Sequence, residues 1–123
     1  MPGKTTILMS VIFMSLATSA ARADTGFSIA VPDGPDARDI EAVYDCGDFT
    51  MTARYVTSGE IALARLQWQD HLTVAAEVIA ASGARYAAGP YVWWTKGDSA
   101  TLYNVMNGED DPGIACEAAS SGK

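Results

Sequence analysis

The stretch FTMTARYVTSGEIALARLQWQDHLTVAAEV, residues 49–78, decides the fold. Phe49, Met51, Ala53 and Tyr55 alternate with Thr50, Thr52 and Arg54, and Leu72, Val74, Ala76 and Val78 repeat the two-residue period. That period gives a β-strand one apolar face and one polar face, because successive side chains point to opposite sides of a sheet. Phe49, Met51, Ala53 and Tyr55 are therefore expected on one buried face, and Leu72, Val74, Ala76 and Val78 on another. Ser58-Gly59 and Gln69-Asp70 break the runs with turn residues. Ile61 to Gln67 and Val74 to Ala81 are rich in Ala and resemble helix in composition, although both are read here as strands.

Working outward, the same pattern continues to the C-terminus. Strands are expected at 43–46, 49–56, 61–67, 72–79, 84–88, 91–96, 99–105 and 113–118. The further breaks are Gly47-Asp48, Ser82-Gly83, Gly89-Pro90, Gly97-Asp98 and Asn107 to Pro112. Short strands with turn signals about every 8 to 12 residues are the mark of an all-β domain. No amphipathic helix is available to cover a sheet, so the strands must close on themselves to hide their edges. The expected fold is a small eight-stranded antiparallel β-barrel spanning 43–123, preceded by a loop or loosely docked arm, 24–42, that carries Pro32, Asp33-Gly34-Pro35 and an apolar patch at Ile29 and Val31.

The first 23 residues read as a cleaved signal peptide: Lys4 supplies the positive charge, Ile7 to Ala17 the apolar run, and Ala21-Arg22-Ala23 the cleavage motif. The apolar run is about half of the roughly 20 residues that a membrane-spanning helix needs. No Cys follows the cleavage point, so no lipid anchor is expected and the protein is placed in the periplasm. Removal of the leader leaves 6 basic and 15 acidic side chains, a net charge of −9. Such a chain is unsuited to nucleic acid, whose phosphates require a basic face, and to anionic membrane surfaces. It suits a strongly basic protein partner.

Cys46 and Cys116 are the only cysteines in the sequence, and an exported protein meets an oxidising compartment. A single structural disulfide between them is expected, closing about 70 residues for roughly 4 kcal/mol in the chain-entropy model. Enzyme chemistry finds little support. His71 is the sole histidine, beside Asp70 in a turn, with no nucleophile motif near it. One His and two paired Cys cannot assemble a zinc site, and Asn107-Gly108-Glu109-Asp110-Asp111 lacks the spacing of a calcium loop. No cofactor and no metal are expected.

The segment SGARYAAGPYVWWTKGDSATL, 82–102, carries four aromatics and the only Lys between Lys4 and Lys123. With Gly89 at the centre of the turn, Ser82 faces Lys96 across the hairpin; a turn one residue longer shifts that register. In either case an up-and-down path places the loop at 80–83 and the turn at 96–98 at the same end of the barrel, opposite Gly89-Pro90. Trp93 and Trp94 divide into one core residue and one outer residue, and Tyr86 and Tyr91 pack the barrel. None of this requires a Lys at 96, which is why that residue points to binding.

With Val43-Tyr44-Asp45-Cys46, Ser82-Gly83-Ala84-Arg85-Tyr86, Trp93-Trp94-Thr95-Lys96-Gly97-Asp98, Ala100-Thr101-Leu102 and Cys116, the chain resembles the inhibitors of C-type lysozyme found in bacterial envelopes, both membrane-bound and periplasmic. The resemblance implies a barrel that inserts a loop and a turn into the lysozyme cleft, with Ser82 and Lys96 engaging the two catalytic carboxylates. Gly83 and Gly97 belong to that loop and turn, and Tyr86 supports the loop or touches the enzyme. It implies no catalysis by the inhibitor itself and a C-type lysozyme as partner. The missing lipidation Cys implies the soluble periplasmic type. The alternative reading is an envelope barrel module that binds a small ligand or glycan on its aromatics.

Overall fold

The computed structural model describes residues 2–4 and 28–119. The leader read at 1–23 falls almost wholly outside them. Eight antiparallel strands close into a barrel in sequence order, β1 (Arg38–Asp45), β2 (Thr50–Ser58), β3 (Ile61–Trp68), β4 (His71–Val78), β5 (Ala84–Ala88), β6 (Tyr91–Lys96), β7 (Ser99–Asn104) and β8 (Ile114–Ala118). A single 3-10 turn, Val105–Asn107, interrupts the connection from β7 to β8. Strands β1 and β8 close the seam through Tyr44 opposite Ala118 and Asp45 opposite Glu117. The all-β barrel expected from the turn spacing is thus the fold observed, and the two Ala-rich runs are strands.

Their alanines have a packing reason. The interior holds Tyr44, Met51, Leu66, Trp68, Tyr86, Trp93 and Leu102, and the small Ala53, Ala64, Ala75 and Ala100 lie among them. A barrel of eight strands has room for one layer of side chains from each wall, so large residues on one wall need small ones on another. Trp93, Met51 and Leu66 are almost fully buried as a result. Truncating a Trp so placed typically costs roughly 3 to 5 kcal/mol.

Phe49, Met51, Ala53 and Tyr55 do face inward, with Met51 and Ala53 at 0% exposure. Strand β4 reverses its expectation. Its buried residue is Ala75, whereas Leu72, Val74, Ala76 and Val78 are exposed on the outer surface. The ladder sets Ala64 opposite Ala75 and Leu63 opposite Ala76, so the inward face of β3 fixes that of β4.

Strand β1 begins at Arg38 and so takes in 38–42, five residues assigned from composition to the arm. The charged outer residues of this strand concealed it. Asp39 pairs with Arg54 of β2 through two hydrogen bonds of 2.8 and 2.6 Å, and Glu41 stands opposite Arg54. The Arg54 guanidinium holds the Asp39 carboxyl below its ordinary range. Ahead of the strand, Ser58 Oγ donates to the Pro32 carbonyl at 2.5 Å and ties the arm to the barrel.

The Cys46–Cys116 disulfide is formed, with both residues buried. It joins the residue that follows β1 to the middle of β8, beside the seam. A second fastening lies inside the lumen, where Tyr55 Oη meets Tyr44 Oη at 2.9 Å and accepts from Trp93 Nε1 at 2.8 Å. Burial of Tyr55 pushes its phenol far above the usual tyrosine range; Trp93 pulls the other way and Tyr44 adds to the rise.

Candidate functional site

The β5–β6 hairpin turns on two residues, Gly89 and Pro90, and pairs Ala88 with Tyr91, Tyr86 with Trp93 and Ala84 with Thr95. Expectation and structure differ here by one residue. Continued one step, the ladder sets Gly83, not Ser82, against Lys96. The reason is that Gly89 shares the turn with Pro90 instead of centring it. The weaker inference holds: the 79–83 loop and the Gly97-Asp98 turn lie at one end of the barrel, and Gly89-Pro90 at the other.

Close approach of the two chains at this rim is built on Gly83. Its φ is +69°, and a Cβ there would overlap the Thr95 carbonyl oxygen and lie 2.9 Å from Lys96 Cγ. Only glycine permits that contact. Gly97, at φ +59°, turns the chain from β6 into β7, with Lys96 paired to Ser99 across the turn and Ser99 Oγ donating to the Lys96 carbonyl at 3.0 Å.

Trp94 connects the two halves of the rim. Trp93 points into the lumen, so its neighbour points out. The Trp94 Nε1 donates to the Ser82 carbonyl oxygen at 2.8 Å, and the Lys96 ammonium sits 5.0 Å from the centre of the same ring. The Arg85 guanidinium is 5.5 Å from it. Two cations on one indole are each within cation–π reach. Ser82 and Lys96 are both exposed at the end of this arrangement. Trp94 thus links the backbone of Ser82 to the ammonium of Lys96, two exposed polar residues at one rim.

Tyr86 lies elsewhere. It is 5% exposed, inside the barrel, with its ring 5.5 Å from that of Tyr55. This burial fits support of the loop, the first of the two roles that the resemblance implied. Burial raises its phenol above the ordinary range, as do Glu77 and Tyr44 to a lesser extent. His71 opens β4, stacked on Trp68 at 4.7 Å, where it packs a barrel end. Among the described residues no group of three or more His, Cys, Asp or Glu is placed to hold a metal ion. In the acidic loop Asn107 Nδ2 donates to Asp111 Oδ2 at 3.2 Å.

Sequence reading singled out Ser82, Gly83, Lys96 and Gly97, which the fold brings to one rim, but it missed the link between them. An outward Trp next to a buried one, two positions before the unexplained Lys, was the available signal.

Comparison with known proteins bears on the same segment. The family model described as membrane-bound lysozyme-inhibitor of c-type lysozyme (MliC) matches residues 44–111, which include all of the rim. A membrane-bound lysozyme inhibitor of C-type lysozyme from Pseudomonas aeruginosa is 48% identical over 68 residues, 54% of this chain and 54% of that protein, so the match spans about half of each. One of the same name from Cupriavidus necator is 36% identical over 115 residues, 90% of this chain and 87% of that protein. The crystal structure of Pseudomonas aeruginosa MliC in complex with hen egg white lysozyme superimposes with a TM-score of 0.65 at 35% identity, covering 82% of this chain and 100% of that one. Matched over more than half its length by the family model and over nine-tenths by a full-length relative, the chain belongs to the MliC family of C-type lysozyme inhibitors.

Proposed function

We propose that the protein inhibits C-type lysozyme by seating its Ser82–Lys96 rim in the active-site cleft, without chemistry of its own, in the periplasm after loss of residues 1–23. The observation that carries this reading is that Trp94 donates to the Ser82 backbone carbonyl and lies against the Lys96 ammonium, so that two exposed polar residues meet at one rim. A retaining glycosidase holds its two carboxyl groups about 5 to 5.5 Å apart, one ionised and one protonated. An ammonium donates well to the ionised one, and a hydroxyl, both donor and acceptor, suits the protonated one. Gly83 and Gly97 add no side chains between the rim and the cleft. The family relationship supports the partner; the role of each rim residue is our inference.

A turbidity assay with bacterial cell walls and C-type lysozyme tests it. Lys96→Ala should weaken inhibition about 10- to 150-fold, the equivalent of roughly 1.5 to 3 kcal/mol for a hydrogen bond to a charged group. Ser82→Ala should cost less, about 1 kcal/mol. Both residues are exposed, so melting temperatures should be unchanged. A double variant that is folded and fully inhibitory would overturn the plug mechanism.

A further inference from the structure

A pocket of about 220 Å³ opens on the outer flank of β5–β7, between the barrel wall and the β7–β8 connection. Its walls are apolar and aromatic on the barrel side, with Val92, Trp94 and Tyr103, and acidic on the loop side, with Glu109 and Asp111. A smaller pocket of about 120 Å³ continues it toward the rim and shares Trp94 and Tyr103. Tyr103 is braced from behind: a Cβ on Gly113 would lie 2.8 Å from its Cδ1. The loop side is anchored too, where Val105 N donates to the Pro90 carbonyl at 2.8 Å.

Arg85 completes the larger pocket, and it is chemically unfinished. Its Nε is buried with no hydrogen-bond partner. Among the described residues Arg54–Asp39 is the only ion pair, so the Glu109 and Asp111 carboxylates across the pocket stand clear of the guanidinium. An anionic ligand would meet two carboxylates, and a cation would meet Arg85 and, further along, Lys96. A wholly apolar ligand would desolvate a guanidinium and two carboxylates without compensation. What suits all the walls is a neutral ligand with one apolar face and a rim of hydroxyls, which donate to carboxylates and accept from a guanidinium.

We propose that this flank is a saccharide-binding groove, in which a pyranose ring lies against Trp94 or Tyr103 and its hydroxyls reach Arg85, Glu109 and Asp111. Two adjoining pockets with shared aromatics fit a disaccharide, one ring in each. The groove runs beside the lysozyme rim and shares Trp94 and Lys96 with it, and it localises the glycan-binding alternative that the aromatics suggested. It does not depend on the rim's role.

Titration of the disulfide-bonded protein with N,N′-diacetylchitobiose and with cellobiose, followed by amide and indole NMR shifts, tests the proposal. At least one sugar should give saturable shifts confined to Arg85, Val92, Trp94, Lys96 and the 99–111 segment. Tyr103→Ala should weaken that binding about tenfold or more, a change of ~1.4 kcal/mol, and leave lysozyme inhibition unaltered. Should Tyr103→Ala fail to fold, the Glu109→Gln, Asp111→Asn double variant on the surface loop serves instead and should lower the affinity. Absence of saturable shifts with either sugar, shifts scattered over the barrel, or wild-type sugar affinity in the folded variants would overturn it. Weaker inhibition by Ser82→Ala with sugar binding intact separates the two sites, because Ser82 lines neither pocket.

Discussion

At the residue scale, Trp94 does with one ring what a loop and a strand end cannot do alone. Its N–H fixes the Ser82 carbonyl, and its face lies under the Lys96 ammonium. Trp94→Phe separates these roles, since it keeps a ring face but removes the donor. We expect a folded protein whose inhibition of lysozyme weakens about fivefold, corresponding to about 1 kcal/mol for a lost neutral hydrogen bond, together with faster amide exchange at Gly83. Unchanged inhibition with unchanged exchange would show that the loop holds itself. Lys96 was legible in the sequence because an exposed cation serves no turn. Trp94 was not, because its value lies in an N–H that reaches a carbonyl 12 residues away, and that reach depends on the register. The residues alone placed Tyr86 in the barrel packing, and two-residue alternation from Ala84 and Ala88 carries it inward.

At the scale of elements, the strands β2 to β8 were legible to within one or two residues, and the faces of β2 as well. What escaped is what a single strand does not contain. The alternation in β4 is real but runs outward, because its face is set by pairing with β3; a shift of one position exchanges the two faces of a strand. The same parity explains the hairpin register, where one residue more in the turn moves Lys96 from Ser82 to Gly83. Length of β1 was hidden for another reason, since its extra residues are held by the ladder and the Asp39–Arg54 pair, not by burial.

The strands β1, β2 and β6 are joined inside by the Tyr44–Tyr55–Trp93 hydrogen bonds. Tyr55→Phe removes the acceptor for Trp93 Nε1 and should destabilise the barrel by roughly 1 to 3 kcal/mol, the cost of a buried donor left unpaired; urea titration measures this. Because the folded barrel raises the phenol of Tyr55, and less strongly that of Tyr86, it favours their protonated forms. Free tyrosine ionises near pH 10, so this contribution is complete below about pH 10. It is lost progressively as pH rises through that value toward the higher values in the fold. Stability in urea should therefore be level from pH 7 to about 9 and fall from about 10 upward, with a smaller fall in Tyr55→Phe. An equal alkaline fall in both proteins would remove Tyr55 from the cause.

At the scale of the whole molecule, residues 24–123 carry a net charge of −9. Opposite fields guide encounter with a basic enzyme, and salt shortens their reach to about 8 Å near 0.15 M. The association rate with lysozyme should drop as salt rises while dissociation changes less. An association rate that is flat across salt would assign the acidic surface to solubility. The Cys46–Cys116 bond, with its sequence separation of 70, restricts the unfolded chain by roughly 4 kcal/mol in the entropy model. Reduction should then lower the melting temperature by more than about 10 °C; a shift of only a degree or two would mean that the ladder alone holds the seam.

That bond also decides what a protease can do to the molecule. The longest connection between strands runs from Val105 to Gly113, and most of it is exposed. It is therefore the natural point for a nick. Cleavage there would detach β8 from β7 along the chain, yet Cys116 in β8 is bonded to Cys46 next to β1. The severed strand stays tethered beside both of its neighbours at high effective concentration. The Ser82–Lys96 rim, at the far end of the barrel from that connection, would remain on a closed wall. A chain cut there is still one covalent molecule, and hydrolysis of one peptide bond is not enough to take it apart.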